Sequence, residues 1–370
     1  MNDNYDLGTI AANFSFFGEI ISIEGYGDGH INDTYLVKTK ASEGKELKYI
    51  LQRINHNIFK DPEGLMNNLS LVTSYLKEKI IEMGGDEYRE TLNLVPTKEG
   101  KSFCLSPEGD YWRSYIFIEG ARTYLIVEDT MDFYNTGKAL GRFQKLLEDF
   151  PAEKLCETIK DFHNTEKRFK DFTTAVKENK AQRLHLAEKE VEAFLALEKE
   201  TKVLNSLLED GKLPLRVTHN DTKFNNVMID DVTREGICII DLDTVMPGLS
   251  LYDFGDAIRS GATTGEEDEE DLSKVALDME LFEAFVKGYM EEAREFLNEE
   301  EIAFLPFSAM IMTYECGIRF LADFLEGDVY FKVHKENHNL YRARTQLKMV
   351  QEIQGKMNIM TEVINKYRFN

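Results

Sequence analysis

Val217-Thr218-His219-Asn220-Asp221-Thr222-Lys223-Phe224-Asn225-Asn226-Val227-Met228-Ile229 is the stretch that decides how this chain is read. Asp221 and Asn226 have the spacing D-x-x-x-x-N, and His219 stands two residues ahead of the aspartate. A second segment, Ile237-Cys238-Ile239-Ile240-Asp241-Leu242-Asp243, is an apolar strand ending in carboxylates. An isolated D-x-x-x-x-N is common by chance. The preceding histidine, the Val-Met-Ile strand after it and the second strand ending in Asp together make it specific. The spacing is that of a phosphoryl-transfer loop, where the protein supplies positioning and charge neutralisation rather than covalent work. One carboxylate must take the proton of the attacking hydroxyl, a role for Asp221. An amide oxygen and a second carboxylate must hold magnesium, a hard cation that prefers oxygen ligands, which are roles for Asn226 and Asp241.

Working outward toward the N-terminus, residues 19–24, 34–38 and 47–54 read as strands. Helical spacing runs over 62–83, after a short helix within 5–14, and strand-like segments follow at 92–105 and 111–118. This predicts a small sheet with one helix packed on it. Glu119-Gly120 reads as a hinge. Gly25, Gly27 and Gly29 lie between the first two strands, where glycines would let backbone amides approach nucleotide phosphates; a plain hairpin is the alternative.

Beyond the hinge the pattern turns helical. Helices are expected over 131–148, 181–208, 273–296 and 300–325, with a strand–loop–strand unit over 215–243. In the last helix Leu340, Ala343, Leu347, Val350, Ile353, Met357 and Met360 form a core stripe. Glu266 to Asp271, six acidic residues in a row, reads as a solvated loop.

The 370 residues suffice for one large domain or two moderate ones. Apolar residues at 42% and charged residues at 30% fit a soluble globular protein. A net charge of −23 argues against nucleic acid as a partner. No secretory signal and no membrane-length apolar run is visible. Cys104, Cys156, Cys238 and Cys316 are far apart and read as reduced thiols of a cytoplasmic protein.

The catalytic-loop and Ile240-Asp241 segments resemble the aminoglycoside/choline phosphotransferase superfamily. That resemblance implies an α+β, protein-kinase-like two-lobe fold. A small antiparallel β-sheet N-lobe would occupy residues 1–118 and bind nucleotide. A larger, mainly helical C-lobe would occupy 119–370, with the catalytic loop and the acceptor site. More narrowly, 219–226 and 241–248 resemble the N-acetylhexosamine 1-kinases, as do 29–34, 49–55 and 319–330. This implies transfer from ATP, with Mg2+, to the anomeric hydroxyl of N-acetylglucosamine or N-acetylgalactosamine. It also implies that Asp221 is the base, that Asn226 and Asp241 are the magnesium ligands, and that Arg319 and Tyr330 contact the sugar. For Arg319 the alternative is a helix salt bridge to Glu315 or Asp323; for Tyr330, a packed core tyrosine.

One departure from the wider kinase pattern stands out. The third strand should carry a phosphate-binding lysine, but the stretch where it is expected reads Leu51-Gln52-Arg53-Ile54. Either Gln52 or Arg53 does that work, with Arg53 the choice here, or the phosphates are held differently. Asp253-Phe254-Gly255 spells the magnesium motif of protein kinases, yet it falls after the strand has already ended in Asp241. It reads as a helix start, with Asp253 as the cap. The alternatives in function are a kinase of another small hydroxylated molecule, such as choline, another amino alcohol or an aminoglycoside, and a nucleotide-binding pseudokinase scaffold.

Overall fold

The computed structural model describes residues 5–27, 31–127 and 129–369. After helix α1 (Leu7–Ala11) come strands β1 (Glu19–Gly25), β2 (Asp33–Lys40) and β3 (Glu46–Ile54), helix α2 (Pro62–Glu82), and strands β4 (Cys104–Leu105) and β5 (Tyr111–Ile116). The strands form one antiparallel sheet in the order β1-β2-β3-β5-β4. One face, with Tyr35, Val37, Leu51 and Trp112, packs on Ile10, Ala11 and Phe14. The other packs through Ile54 and Tyr115 on Leu65, Leu69, Val72 and Leu76 of α2. Side chains alternate along a strand, so neighbours on β3 point to opposite faces of this sheet.

The expected strand over 92–105 is reduced to β4, with isolated bridges at Leu94 and Thr97. A tight turn breaks it: Thr97 N–H donates to Lys101 O, and Gly100 takes φ +80°.

The chain then crosses at Gly120 (φ +68°) into β6 (Ala121–Arg122). Helices α3 (Thr130–Leu146), α4 (Thr165–Glu178), α5 (Glu188–Leu195) and α6 (Val203–Glu209) follow. Next come β7 (Arg216–Thr218), β8 (Val227–Asp230), β9 (Gly236–Ile239) and β10 (Met246–Gly248). The rest is helical: α7 (Ser250–Gly261), α8 (Met279–Ala293), α9 (Glu299–Glu326) and α10 (His338–Arg368). The result is a mixed α+β fold, with an antiparallel sheet in the N-terminal region and a helical C-terminal part. Val227, Ile229, Cys238 and Ile239 belong to the same apolar core as α2, so the β8–β9 hairpin is seated directly under the sheet. The α3–α8 contact is close enough to require glycine: a Cβ on Gly288 would lie 2.0 Å from Tyr134 O.

Two expectations need correction. The continuous helix over 181–208 is α5 and α6 separated by irregular turns, and α4 precedes it unforeseen. The acidic run is an exposed loop, as expected, and it is laced to the start of α10 by ion pairs. Asp268 meets Lys335 and His338 at 3.0 Å each, Glu270 meets Lys335 at 3.0 Å, and Glu267 meets Arg342 at 3.2 Å. Asp253 is not a cap, since it lies inside α7, whose N-cap position is Leu249. All four cysteines are free, and among the described residues no helix is long and apolar enough to cross a membrane.

Candidate active site

The catalytic-loop stretch leaves β7 and turns sharply at Asn220, which takes φ +65°. Asparagine tolerates this left-handed geometry better than most residues. The turn is pinned from several sides. Asn220 Nδ2 donates to Thr244 O at 2.9 Å, and Thr244 Oγ1 donates to His219 O at 2.7 Å. Buried Asp253 accepts the backbone N–H groups of His219 and Asn220. His219 Nδ1 accepts Asp221 N–H at 3.2 Å while Nε2 lies 2.8 Å from Ile240 O, which fits the Nε2–H tautomer. His219 is therefore a strut between the loop and the end of β9.

Asp221 follows, half-buried, with Lys223 Nζ 2.8 Å from its Oδ1. Burial works to raise the Asp221 carboxyl, but Lys223 outweighs it and holds the group below the usual 3.8. Asp221 thus stays an anion that can accept a hydroxyl proton's hydrogen bond. Lys223, raised in turn chiefly by Asp221, is a functional candidate that sequence reasoning passed over, although it lies inside the quoted run.

Asn226 Nδ2 donates to Asp221 O at 2.7 Å, which leaves its Oδ1 with no donor among the described residues. The β8–β9 pairing, Val227 opposite Ile239, sets Asn226 beside the strand end that carries Asp241. Asp241 takes φ +59° and turns its carboxylate into the open cleft, with no hydrogen bond or ion pair to a described residue. Although the side chain opens to solvent, protein surrounds it closely. Burial first, then the nearby Asp243 and Asp221 carboxylates, push it up to about 6. An unpaired carboxylate among like charges, next to a free amide oxygen, fits a divalent cation. Among the described residues no three His, Cys, Asp or Glu side chains make a closed metal cage. Magnesium keeps several waters, takes phosphate oxygens and needs only one or two protein carboxylates.

Asp243 is committed elsewhere. Its Oδ1 is bonded by Arg113 Nη1 and its Oδ2 accepts from Asn32 Nδ2 at 2.7 Å. Gln52 faces the cleft, where its Oε1 accepts from Arg113 Nε at 3.1 Å and Nη2 at 2.9 Å. Arg53 is not brought to this cluster. It points to the other face of the sheet, paired with Asp33 at 2.7 Å and Asp110 at 3.2 Å. Gly25 closes β1, Gly27 uses φ +72°, and Gly29 lies outside the described residues.

On the acceptor side, Arg319 has neither alternative partner expected for it. Glu315 is held by His163 at 2.8 Å and Thr165 at 2.7 Å. Asp323 accepts the N–H groups of Val329, Tyr330 and Phe331 and the amide of Asn339. The Arg319 guanidinium lies instead over the rings of Phe162, Tyr330 and Phe331, 5.5–5.8 Å from their centroids. Tyr330 is 59% exposed, not a core tyrosine. His163 Nε2 lies 3.0 Å from Asn220 O, so one chain of contacts runs from α9 to the residue beside Asp221.

The family model for "Phosphotransferase enzyme family" matches residues 22–296, and the chain belongs to that family. Its class is thus a kinase-type phosphotransferase. The fold is similar to an aminoglycoside phosphotransferase from Alicyclobacillus acidocaldarius, with a TM-score of 0.60, 10% identity, and 99% of this chain and 98% of that one covered. It is similar to an amicoumacin kinase, with a TM-score of 0.59, 15% identity, and 96% and 94% covered. A microcompartment-associated aminopropanol kinase gives a TM-score of 0.57, 16% identity, and 96% and 98% covered.

Proposed function

We propose that the protein transfers the γ-phosphoryl group of ATP to the anomeric hydroxyl of an N-acetylhexosamine. ATP as donor is supported by the family and by fold relatives described in complex with AMP-PNP or ADP. Asp221 accepts the hydrogen bond of the acceptor hydroxyl and takes up its proton as the oxygen attacks the γ-phosphorus and the bond to the bridging oxygen breaks, releasing ADP. Asn226 Oδ1 and the Asp241 carboxylate would hold magnesium, which neutralises phosphate charge when bound. Lys223, beside Asp221, supplies a further positive charge on the transfer side.

The observation that carries the acceptor assignment is the guanidinium of Arg319, which has no carboxylate partner among the described residues and is framed by aromatic rings. A sugar offers hydroxyls, an acetamide carbonyl and apolar ring faces. Arg offers a fixed fork of donors, and Tyr offers a flat apolar face with a polar tip. Arg168 is close enough for the two cations to disfavour each other. A cationic amino alcohol or aminoglycoside is poorly matched to such a wall.

The test is nucleotide turnover with N-acetylglucosamine, N-acetylgalactosamine, choline, ethanolamine and an aminoglycoside, with phosphorus NMR of each product. A sugar 1-phosphate is expected. Turnover of an amine acceptor alone moves the assignment to the amino-alcohol or aminoglycoside kinases, and no turnover with any acceptor favours a scaffold.

A further inference from the structure

The lysine that β3 carries, Lys48, is tied to Glu119 at 3.2 Å, and the buried cation that the sheet presents to the cleft comes from the neighbouring strand. On β5, Tyr111, Arg113 and Tyr115 face the C-terminal part, while Trp112 and Ser114 face the other way. Arg113 lies directly across from Gln52 and is 1% exposed. Burial alone would work against its charge, but Asp243 outweighs this and keeps it a cation. Asp243 is itself 2% exposed, so each ion depends on the other.

The pair joins distant parts of the chain at a decisive place. Asp243 lies in the single helical turn Leu242–Thr244 that begins at Asp241. The N-terminal part holds this turn by Arg113 and Asn32 on Asp243, and by Asn68 of α2, whose Nδ2 donates to Val245 O at 3.0 Å. The catalytic loop holds the residue between, through Asn220 on Thr244 O and Thr244 on His219 O. The turn that starts with Asp241 is therefore strung between the sheet and the catalytic loop.

We propose that Arg113 is a positioning residue: through Asp243 it fixes the Asp241 turn against the nucleotide-binding sheet without itself touching metal or phosphate. This rests on reading Asp241 as a magnesium ligand. Its signature is a loss of the magnesium-dependent part of nucleotide affinity rather than of nucleotide affinity as a whole.

The experiment is calorimetric binding of ADP with and without magnesium, alongside melting curves. In the unmodified protein magnesium should tighten ADP binding; if it does not, the metal reading itself fails. If it does, Arg113→Met and Asp243→Asn should each lose about tenfold or more of the magnesium-dependent gain, the scale of one hydrogen bond to a charged group. Each single change also orphans a buried charge and is expected to lower the melting temperature. The double variant Arg113→Met/Asp243→Asn removes both charges. It should regain much of the melting temperature but not the magnesium-dependent affinity. Arg113→Lys, which keeps the charge but cannot reach Gln52 and Asp243 together, should lose about threefold of that gain, a smaller step on the same scale. A double variant or Arg113→Lys with unaltered magnesium-dependent affinity would show that the pair is only structural and overturn the proposal.

Discussion

Asp253 Oδ1 accepts the backbone N–H of Asn220 at 2.7 Å. The other oxygen takes His219 N–H at 3.0 Å and Gln144 Nε2 at 2.9 Å. A carboxylate from the first turn of α7 thus satisfies the two backbone donors of a left-handed bend that would otherwise be buried and unpaired. The catalytic loop has its shape because α7 holds it. Asp253→Asn places an NH2 group against a backbone donor, leaving at least one buried group unsatisfied. The expected cost is about 1–3 kcal/mol of stability. Chemical denaturation measures it, and hydrogen exchange at Asn220 should accelerate in step. An unchanged unfolding midpoint with a collapsed kcat would mean that Asp253 acts in the chemistry instead.

The base assignment makes a separate demand. Asp221→Asn retains the shape and can still face Lys223, but it cannot take up a proton. kcat is expected to fall by about 100-fold or more, the scale of general-base contributions. Nucleotide affinity by calorimetry should hardly move. Near-normal kcat in this variant would move the base to another group.

For the metal, Asn226→Ala and Asp241→Ala each remove an oxygen ligand. Both are expected to raise the magnesium concentration needed for half-maximal nucleotide binding. Identical magnesium titrations in both variants would put the ligands elsewhere. Asp243 is a poor substitute candidate, because both of its oxygens are already engaged.

His163 and Glu315 give a pH dependence of stability. Burial works to lower the His163 pKa, but Glu315 outweighs it, with help from Asn220 O and Asp256, and the net direction is upward from 6.5. Burial raises Glu315, but His163 and Thr165 outweigh it, and the net direction is downward from 4.5. The Tyr252 ring, 5.2 Å away, completes the surroundings of His163, and Arg319 adds a positive charge near Glu315. A raised histidine stabilises fully below its unfolded value and loses that contribution as pH rises through its folded value. A lowered glutamate stabilises above its unfolded value and loses it as pH falls. Between 4.5 and 6.5 both contributions are present. The melting-temperature gap between the unmodified protein and His163→Gln should be widest there and narrow toward alkaline pH. A gap constant from pH 5 to pH 9 would mean that His163 is not charged in the fold.

Much of this was legible in the chain. The strands β1, β2, β3 and β5 and the long helices α2, α9 and α10 follow from periodicity alone. The α4 helix also had a signal: Asn164 caps it, and Phe169, Phe172 and Val176 recur on one face. The 181–208 stretch was misleading because its Ala, Leu, Glu and Lys all favour helix. Packing of Val191, Phe194 and Leu204 into the core overrides that preference and breaks it into short pieces. Arg113 could not be assigned from sequence, because the pairing that sets it against Gln52 and Asp243 is tertiary. Its one local hint was an arginine between two tyrosines on an apolar strand face. Asp253 was misread because a carboxylate near a helix start usually caps its own helix. Here it serves a loop more than 30 residues earlier.

The acceptor prediction is the most discriminating. Arg319 and Tyr330 sit together, with the ring 5.8 Å below the guanidinium and the Tyr330 backbone anchored on Asp323 at 2.8 Å. The anchor is backbone-only, so changing the Tyr330 side chain leaves it intact. Arg319 bonds neither Glu315 nor Asp323, so Arg319→Ala orphans no carboxylate and should cost little stability. What it removes is a partly exposed fork of donors with no hydrogen-bond partner among the described residues, open to a ligand. Losing a hydrogen-bond partner of this kind is worth about 1–3 kcal/mol, or roughly 5- to 150-fold in affinity. KM for N-acetylhexosamine should therefore rise far more than KM for ATP. Tyr330→Phe, which loses a hydroxyl but keeps the ring under the guanidinium, should act in the same direction more mildly. Steady-state kinetics with each substrate varied in turn, beside a melting curve, separates the outcomes. A lowered melting temperature with normal kinetics would make the Arg319–ring stack a packing feature. Equal KM changes for both substrates would move the acceptor site to another wall of the helical part.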